Sequence, residues 1–278
     1  MILIDNSQVI LASLFHSLNQ MNEIDESFVR HLVLNAYRFY RQKFKKEYGE
    51  LVICSDTGNY WRTEFFPHYK KNRKRSQDKS NINWGELFDN LDSITEELKE
   101  NFPYKFLSVP HAEADDIIAS LCMKYGEQEN IMIVSSDKDF QQLQRYSKVK
   151  QYSPNRKDFL VCKDPQSYLI EHTIRGDASD GIPNVLSDDD TFVNTNKRQQ
   201  RMTKLKFNDI KSGTLKTEEI AANWDRNQTL VDFTRIPDDI VALALDEYEI
   251  EPLGRRKDLL NYFITHRLKT LMDSIGEF

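Results

Sequence analysis

Ile131–Asp137, IMIVSSD, decides the fold: four apolar residues, two serines and an aspartate. A short run of this kind reads as a strand buried on both faces. The same form recurs at Ile2–Asp5 (ILID) and at Leu51–Asp56 (LVICSD). Between those two, Phe28, Leu32, Tyr37, Phe39, Tyr40 and Phe44 recur at helical spacing, and Asp25 or Ser27 stands ready to cap the start. A further strand is expected at 106–109, followed by a helix from about His111 with Ala114, Ile117, Ile118, Leu121, Cys122 and Tyr125 on one stripe. Alternating strands and helices imply an α/β fold, a mostly parallel central sheet with helices on both faces. Beyond Tyr168 the pattern turns helical, broken by a polar stretch from Ser187 to about Lys216. The expected division is an α/β domain over 1–180, with an excursion at about 57–83, and a smaller, mainly helical C-terminal domain over 181–278.

The 278 residues are 39% hydrophobic and 29% charged, enough for a packed core under a solvated surface. No apolar run approaches the roughly 20 residues of a membrane-spanning helix, and Met1 leads directly into the first strand, so a cytoplasmic protein is expected. Cys54, Cys122 and Cys162 read as buried reduced thiols, since none sits in a metal-ligand pair. The net charge of -6 argues against indiscriminate polyanion binding, but a local patch escapes that average.

In doubly wound sheets ligands bind outside the carboxyl ends of the strands, where Asp5, Asp56 and Asp137 fall. Glu113, Asp115 and Asp116 open the predicted helix, Asp139 follows in SSDKD, and Asp177 and Asp180 form GDASD. Any one of these is ordinarily a turn or cap residue, and the helix-opening acids would favour the positive end of the helix dipole. Recurrence in so many segments is what points to chemistry. Carboxylates brought together repel unless a cation joins them, and hard Mg²⁺ takes oxygen ligands alone. Two-metal hydrolysis places such ions about 3.5 to 4 Å apart.

The excursion carries Arg62, Lys70, Lys71, Arg73, Lys74, Arg75 and Lys79 among Tyr60, Trp61, Phe65, Phe66 and Tyr69. Cations for phosphates beside rings for bases make a nucleic-acid contact, although a solvated helix has the same charge pattern. Arg62 and Lys70 are the choices for the scissile phosphate. A second basic group, Lys197, Arg198, Arg201, Lys204, Lys206 and Lys211, would grip duplex backbone or lie in a solvated loop. The six histidines are scattered, and none stands in a nucleophile triad.

The ordered segments ILIDNSQ, ICSDTGNYWR, YKKNR, EADD, IVSSDKDFQQL and GDASDGIPNV resemble the flap endonuclease family of structure-specific 5′ nucleases, closest to its bacteriophage ribonuclease H branch. That resemblance implies a PIN-like 5′ nuclease core. It implies two Mg²⁺ ions, replaceable by Mn²⁺: Asp5, Asp56, Glu113 and Asp115 around the first, Asp137, Asp139 and Asp180 around the second, with Asp116 and Asp177 assisting. Arg62 and Lys70 would match the basic residues of the family's arch. The implied activity is 5′-to-3′ exonuclease and flap cleavage on DNA and RNA–DNA hybrids, removing RNA primers. The implied setting is a monomer in the bacterial host cytoplasm, working with a single-strand-binding protein or sliding clamp. One departure stands out: after GDASDGIPNV the chain continues into SDDDTFVNTNK, without the family's Gly-Ile-Gly hairpin. A PIN-like endoribonuclease and a non-catalytic nucleic-acid-binding protein are the competing readings. The terminal Leu268, Leu271, Met272, Ile275 and Phe278 would dock a partner or, more ordinarily, pack on the core.

Overall fold

The structure is a computed structural model, and it describes residues 1–17, 25–73 and 83–278. Six strands form one sheet: β1 (Ile2–Asp5), β2 (Leu51–Cys54), β3 (Lys105–Leu107), β4 (Ile131–Val134), β5 (Val149–Ser153) and β6 (Asp158–Leu160), in the order β3-β2-β1-β4-β5-β6. Among the described strands of this sheet the β5–β6 pair is antiparallel and the other pairs are parallel. Every residue of β1, β2 and β4 is buried. Because successive side chains point to opposite faces, both faces of the sheet centre must be covered. The helices α1 (Asn6–Ser17), α2 (Glu26–Tyr48), α4 (Trp84–Asn101) and α5 (Ala114–Tyr125) belong to this assembly, and α2 and α5 both pack on β1, β2 and β4.

The chain moves outward from β1 through β2 to β3, then returns to the other side of β1 as β4. Such a reversal opens a crevice between the two central strands at their carboxyl ends. Asp5 closes β1 there, and the serine–aspartate run follows β4.

Helix α2 starts where its cap was expected: Asp25 Oδ1 accepts from the Phe28 amide at 2.7 Å. It ends at Gly49, whose φ of 86° is a left-handed conformation that favours glycine. Other helices are the short α3 (Trp61–Phe65), between β2 and α4, and, after β6, α6 (Pro165–Arg175), α7 (Lys204–Lys211), α8 (Glu218–Val231), α9 (Asp238–Glu249), α10 (Leu259–Thr265) and α11 (Lys269–Met272).

The chain forms two compact units, and they are cut differently from the 1–180 and 181–278 division expected from the sequence. The first comprises Met1–Thr57, Asn83–Val161 and Asp239–Phe278; the second comprises Gly58–Ile82 and Cys162–Asp238. In the first unit the C-terminal segment is part of the sheet assembly. Phe102 and Phe278 are fully buried with ring centroids 5.7 Å apart, and Phe263 lies 5.3 Å from Phe278. Arg30 on α2 donates to Tyr262 Oη at 3.1 Å and to Glu97 at 2.8 and 3.0 Å, while Arg41 donates to the Glu277 carbonyl at 2.6 Å. Gly254 lies so close to the backbone of Asn101 and Phe102 that a Cβ would collide with it. Leu268, Leu271 and Phe278 are therefore core residues, the ordinary alternative for that stripe.

In the second unit, Phe66, Tyr69, Leu169, Ile182, Leu230 and Val231 form one cluster, and Ile174, Val185, Ile210 and Ile220 another. The polar stretch after Ser187 is irregular up to α7, with Lys197 paired to Asp188 and Asp190 at 2.7 and 2.6 Å. Cys54 and Cys122 are buried free thiols as expected, whereas Cys162 is only half-buried. No described helix is long and apolar enough to cross a membrane.

Candidate metal centre

In the first unit a single hydroxyl links two of the strand-end acids. Asp5 Oδ1 accepts from the Gln8 amide at 3.2 Å, capping α1, and its Oδ2 accepts from Ser135 Oγ at 2.8 Å. Ser135 Oγ in turn accepts from the Asp137 amide at 3.0 Å, and Asp137 Oδ1 accepts from the Asp139 amide at 2.9 Å. Gln151 on β5 holds this turn from behind, its Nε2 donating to the carbonyls of Ser135 at 3.0 Å and Asp137 at 2.5 Å. Ser135 and Gln151 are fully buried, so the turn is fixed by groups with no competing water.

The opposite side is built from β2 and the start of α5. Asp56 Oδ1 accepts from the Ala114 amide at 2.9 Å and Oδ2 from Ser7 Oγ at 3.3 Å, joining three segments. Thr57 Oγ1 reaches the carbonyls of Val109 and Ala112, both at 3.0 Å. Glu113 and Asp116 form a reciprocal cap: each side chain accepts from the other's backbone amide, with the Glu113 amide 3.0 Å from Asp116 Oδ2. Asp116 is fully buried and Glu113 nearly so, while Asp115 is half-buried. The cap reading therefore accounts for Asp116 directly.

Behind the acids lies a polar network that the sequence reading missed. Asn6 Oδ1 accepts from Tyr37 Oη at 2.6 Å, and Asn6 Nδ2 donates to Ser55 Oγ and Thr95 Oγ1 at 3.1 and 3.2 Å. Asn6 and Ser55 each adjoin an acid of the cluster, so the network fixes the spacing of the β1 and β2 ends. No periodicity in the sequence marks Asn6, Ser135 or Gln151; they become visible only as buried polar groups that need partners.

Asp5, Asp56, Glu113, Asp115, Asp116, Asp137 and Asp139 thus all gather at one end of one unit. Their field reaches their neighbours. Burial, and then the charges of Asp5 and Asp115 among others, push the Cys54 thiol well up. Desolvation followed by the charges of Asp89, Asp56 and Glu96 raises the Asp92 carboxyl. The donor set is oxygen only, several members are buried, and donors from backbone and hydroxyls hold them in place. Oxygen donors of this kind are what a hard divalent cation takes.

Asp177, Asp180 and the basic segment belong to the second unit. There Asp180 is a hub: Tyr69 Oη donates to Oδ2 at 3.2 Å, Arg73 pairs with Oδ1, and Lys70 Nζ lies 3.7 Å from Oδ2. The Lys70 amide also donates to the Asp180 carbonyl at 2.7 Å, and Asn72 Nδ2 to the Ala178 carbonyl at 2.6 Å. Burial alone would raise the Asp180 carboxyl, but Lys70, Arg73 and Tyr69 outweigh it and hold it below the usual range. Asp177 Oδ1 accepts from the Ser179 amide at 2.7 Å, and its Oδ2 lies 4.0 Å from His172 Nε2.

Arg62 is only 2% exposed; its Nε donates to the Leu230 carbonyl at 2.9 Å and its guanidinium lies 4.6 Å from the Trp61 ring centroid. In this structure Arg62 joins α3 to α8. Lys71 and Arg73 are exposed and Lys70 is half-buried, while Lys74, Arg75 and Lys79 lie outside the described residues.

The Asp180 hub has a pH signature. A carboxyl depressed by folding stabilises above its unfolded value of about 3.9 and loses that contribution as pH falls through the depressed value. Asp180→Asn is expected to lower the melting temperature at pH 7, with the gap to wild type narrowing in parallel thermal scans as pH falls below the ordinary carboxylate range and through the depressed value.

The chain is similar to known proteins along its whole length. The family model described as "5′-3′ exonuclease, N-terminal resolvase-like domain" matches residues 1–169, and the one described as "T4 RNase H, C terminal" matches residues 165–278. The chain belongs to the 5′-3′ exonuclease family and is a nuclease. Over 290 aligned residues it is 33% identical to ribonuclease H of Enterobacteria phage T4, covering 99% of this chain and 95% of that one. It is 31% identical over 134 residues to flap endonuclease Xni of Shewanella sp. strain MR-4, 45% of this chain and 48% of that one. A bacteriophage T5 flap endonuclease solved in complex with DNA and metal ions shares the fold, with a TM-score of 0.65 and 18% identity over 89% of this chain and 97% of that one.

Proposed function

We propose that this nuclease is a Mg²⁺-dependent 5′-to-3′ exonuclease and 5′-flap endonuclease that acts on DNA and RNA–DNA hybrids and removes RNA primers in the bacterial host cytoplasm. The observation that carries the reading is the oxygen-only cluster at the sheet's switch point, with Asp5 and Asp137 joined through Ser135. Asp5, Asp56, Glu113 and Asp115 would hold one ion. Asp137 and Asp139 would hold a second, with Asp180 as a further ligand and Asp116 and Asp177 acting through water. Bound there, such ions supply a water of lowered pKa and positive charge beside the scissile phosphate.

The residues of this chain position the parts. Ser135 and Gln151 fix the Asp137 turn, the Glu113–Asp116 cap fixes the start of α5, and the basic segment from Lys70 to Arg75 receives the negatively charged strand. Attack of water on phosphorus breaks the bond to the 3′ oxygen, leaving a 3′-hydroxyl on one product and a 5′-phosphate on the other. A monomer working with a single-strand-binding protein or sliding clamp on flapped DNA fits the activity of the family.

The reading is tested with labelled 5′-flapped duplex DNA, an RNA–DNA hybrid and unstructured RNA, each in Mg²⁺ and in EDTA. Flap and hybrid cleavage in Mg²⁺ alone is expected. Preference for unstructured RNA would contradict it.

A further inference from the structure

A turn at residues 154–157 joins β5 to β6 and is held against the Asp137 segment. Ser136 Oγ and Ser153 Oγ lie 2.7 Å apart; the Asn155 amide donates to Ser136 Oγ at 3.1 Å, and the Arg156 amide to Ser153 Oγ at 3.2 Å. Ser136 directly precedes Asp137, so the turn's backbone is fixed beside the acid cluster. Arg156 is exposed at its tip.

The strand leaving this turn begins an aromatic surface. Phe159 is 45% exposed, its ring centroid 5.6 Å from Tyr152 and 6.2 Å from Phe44. Phe39 on α2 is 52% exposed. Lys43 stands among these rings: its Nζ is 5.6 Å from the Phe39 centroid, 5.6 Å from Phe44 and 4.2 Å from Tyr152, and it donates to Tyr152 Oη at 2.9 Å. The Asp158 carboxylate accepts from the Phe159 amide at 2.8 Å, and Glu47, one turn beyond Lys43, pairs with Lys150 at 3.3 Å. A singly exposed phenylalanine is ordinary. Two, with a lysine between them and an arginine at the neighbouring turn, offer ring faces for bases and cations for phosphates.

We infer that Phe39, Lys43, Arg156 and Phe159 form a second contact for the single-stranded part of the substrate, on the unit that carries the acid cluster. The inference rests on the proposed nuclease activity toward branched nucleic acid. The occupant is a nucleic-acid strand because the surface combines stacking faces with positive charge.

The test is fluorescence anisotropy of a labelled 5′-flapped duplex in EDTA, across 50 to 200 mM salt. Phe159→Ala is expected to weaken flap binding about tenfold, while Phe159→Tyr, which keeps a ring, restores it. Arg156→Ala should reduce the salt slope by about one. Neither loss should appear with the same duplex lacking its flap. Wild-type affinity and slope in Phe159→Ala and Arg156→Ala, or equal losses on the flapless duplex, would overturn the inference; matching melting temperatures establish that the variants fold. Failure of the nuclease reading would look different: intact flap binding by the wild type, without Mg²⁺-dependent cleavage.

Discussion

Asp137→Asn is expected to lower Mg²⁺-dependent cleavage by about 10³-fold, the loss of several kcal/mol of transition-state stabilisation, while flap-DNA binding in EDTA stays close to wild type. The substitution is nearly isosteric. The amide oxygen can still accept from the Asp139 backbone, and the Ser135–Gln151 support of the turn uses the Asp137 main chain, so the local fold survives. What disappears is one negative charge in a group whose assembly only a cation makes favourable. Single-turnover cleavage at saturating enzyme, run beside anisotropy, separates the two effects. Unchanged cleavage would remove Asp137 from the chemistry.

The second large effect concerns stability. Phe102→Ala should cost about 3 to 5 kcal/mol in urea denaturation of the whole chain, the usual penalty for emptying a large aromatic site. Phe102 has no exposed surface and touches Tyr104, just before β3, and Tyr262, Phe263 and Phe278 of the C-terminal segment. Little rearrangement is available to fill the gap, because Gly254 already brings the C-terminal segment against the Phe102 backbone. A cost below about 1 kcal/mol would show that residues 239–278 are not integral to the sheet-bearing unit.

These two positions differ in how legible they were. Asp137 follows the apolar run Ile131–Val134 after two serines, and such runs are conspicuous because a strand buried on both faces is almost wholly apolar along its length. The same holds for Asp5 and Asp56. Helix α2 announced itself by its spacing and by Asp25. Strand β5 did not, since VKQYS looks solvated; Gln151 is nonetheless fully buried because its amide satisfies two carbonyls of the acid-bearing turn. Helix α1 was hidden for another reason. It follows β1 without a loop, and its consecutive Val9, Ile10, Leu11 and Ala12 give no clear helical period.

The membership of the C-terminal helices was beyond pattern reading altogether. An amphipathic stripe states that a helix covers something, and not which unit it covers. Arg62 shows a further limit: a cation in an aromatic, basic stretch is expected at a phosphate, and nothing in that pattern marks the bond from its Nε to the Leu230 carbonyl that joins α3 to α8. Charge patterning gives the sign of a segment and leaves the direction of each side chain to the packing. Lys70 illustrates this too, since its left-handed backbone, φ 56°, is held by the Asp180 carbonyl.

The central claim is that the carboxylates at the switch point hold divalent cations. Crystals soaked in Mn²⁺ and measured at its absorption edge test it directly. Anomalous peaks are predicted within coordination distance of Asp115 and Asp137, with the Asp137 peak lost in Asp137→Asn. Well-ordered carboxylates with no peak at saturating Mn²⁺ would contradict the account.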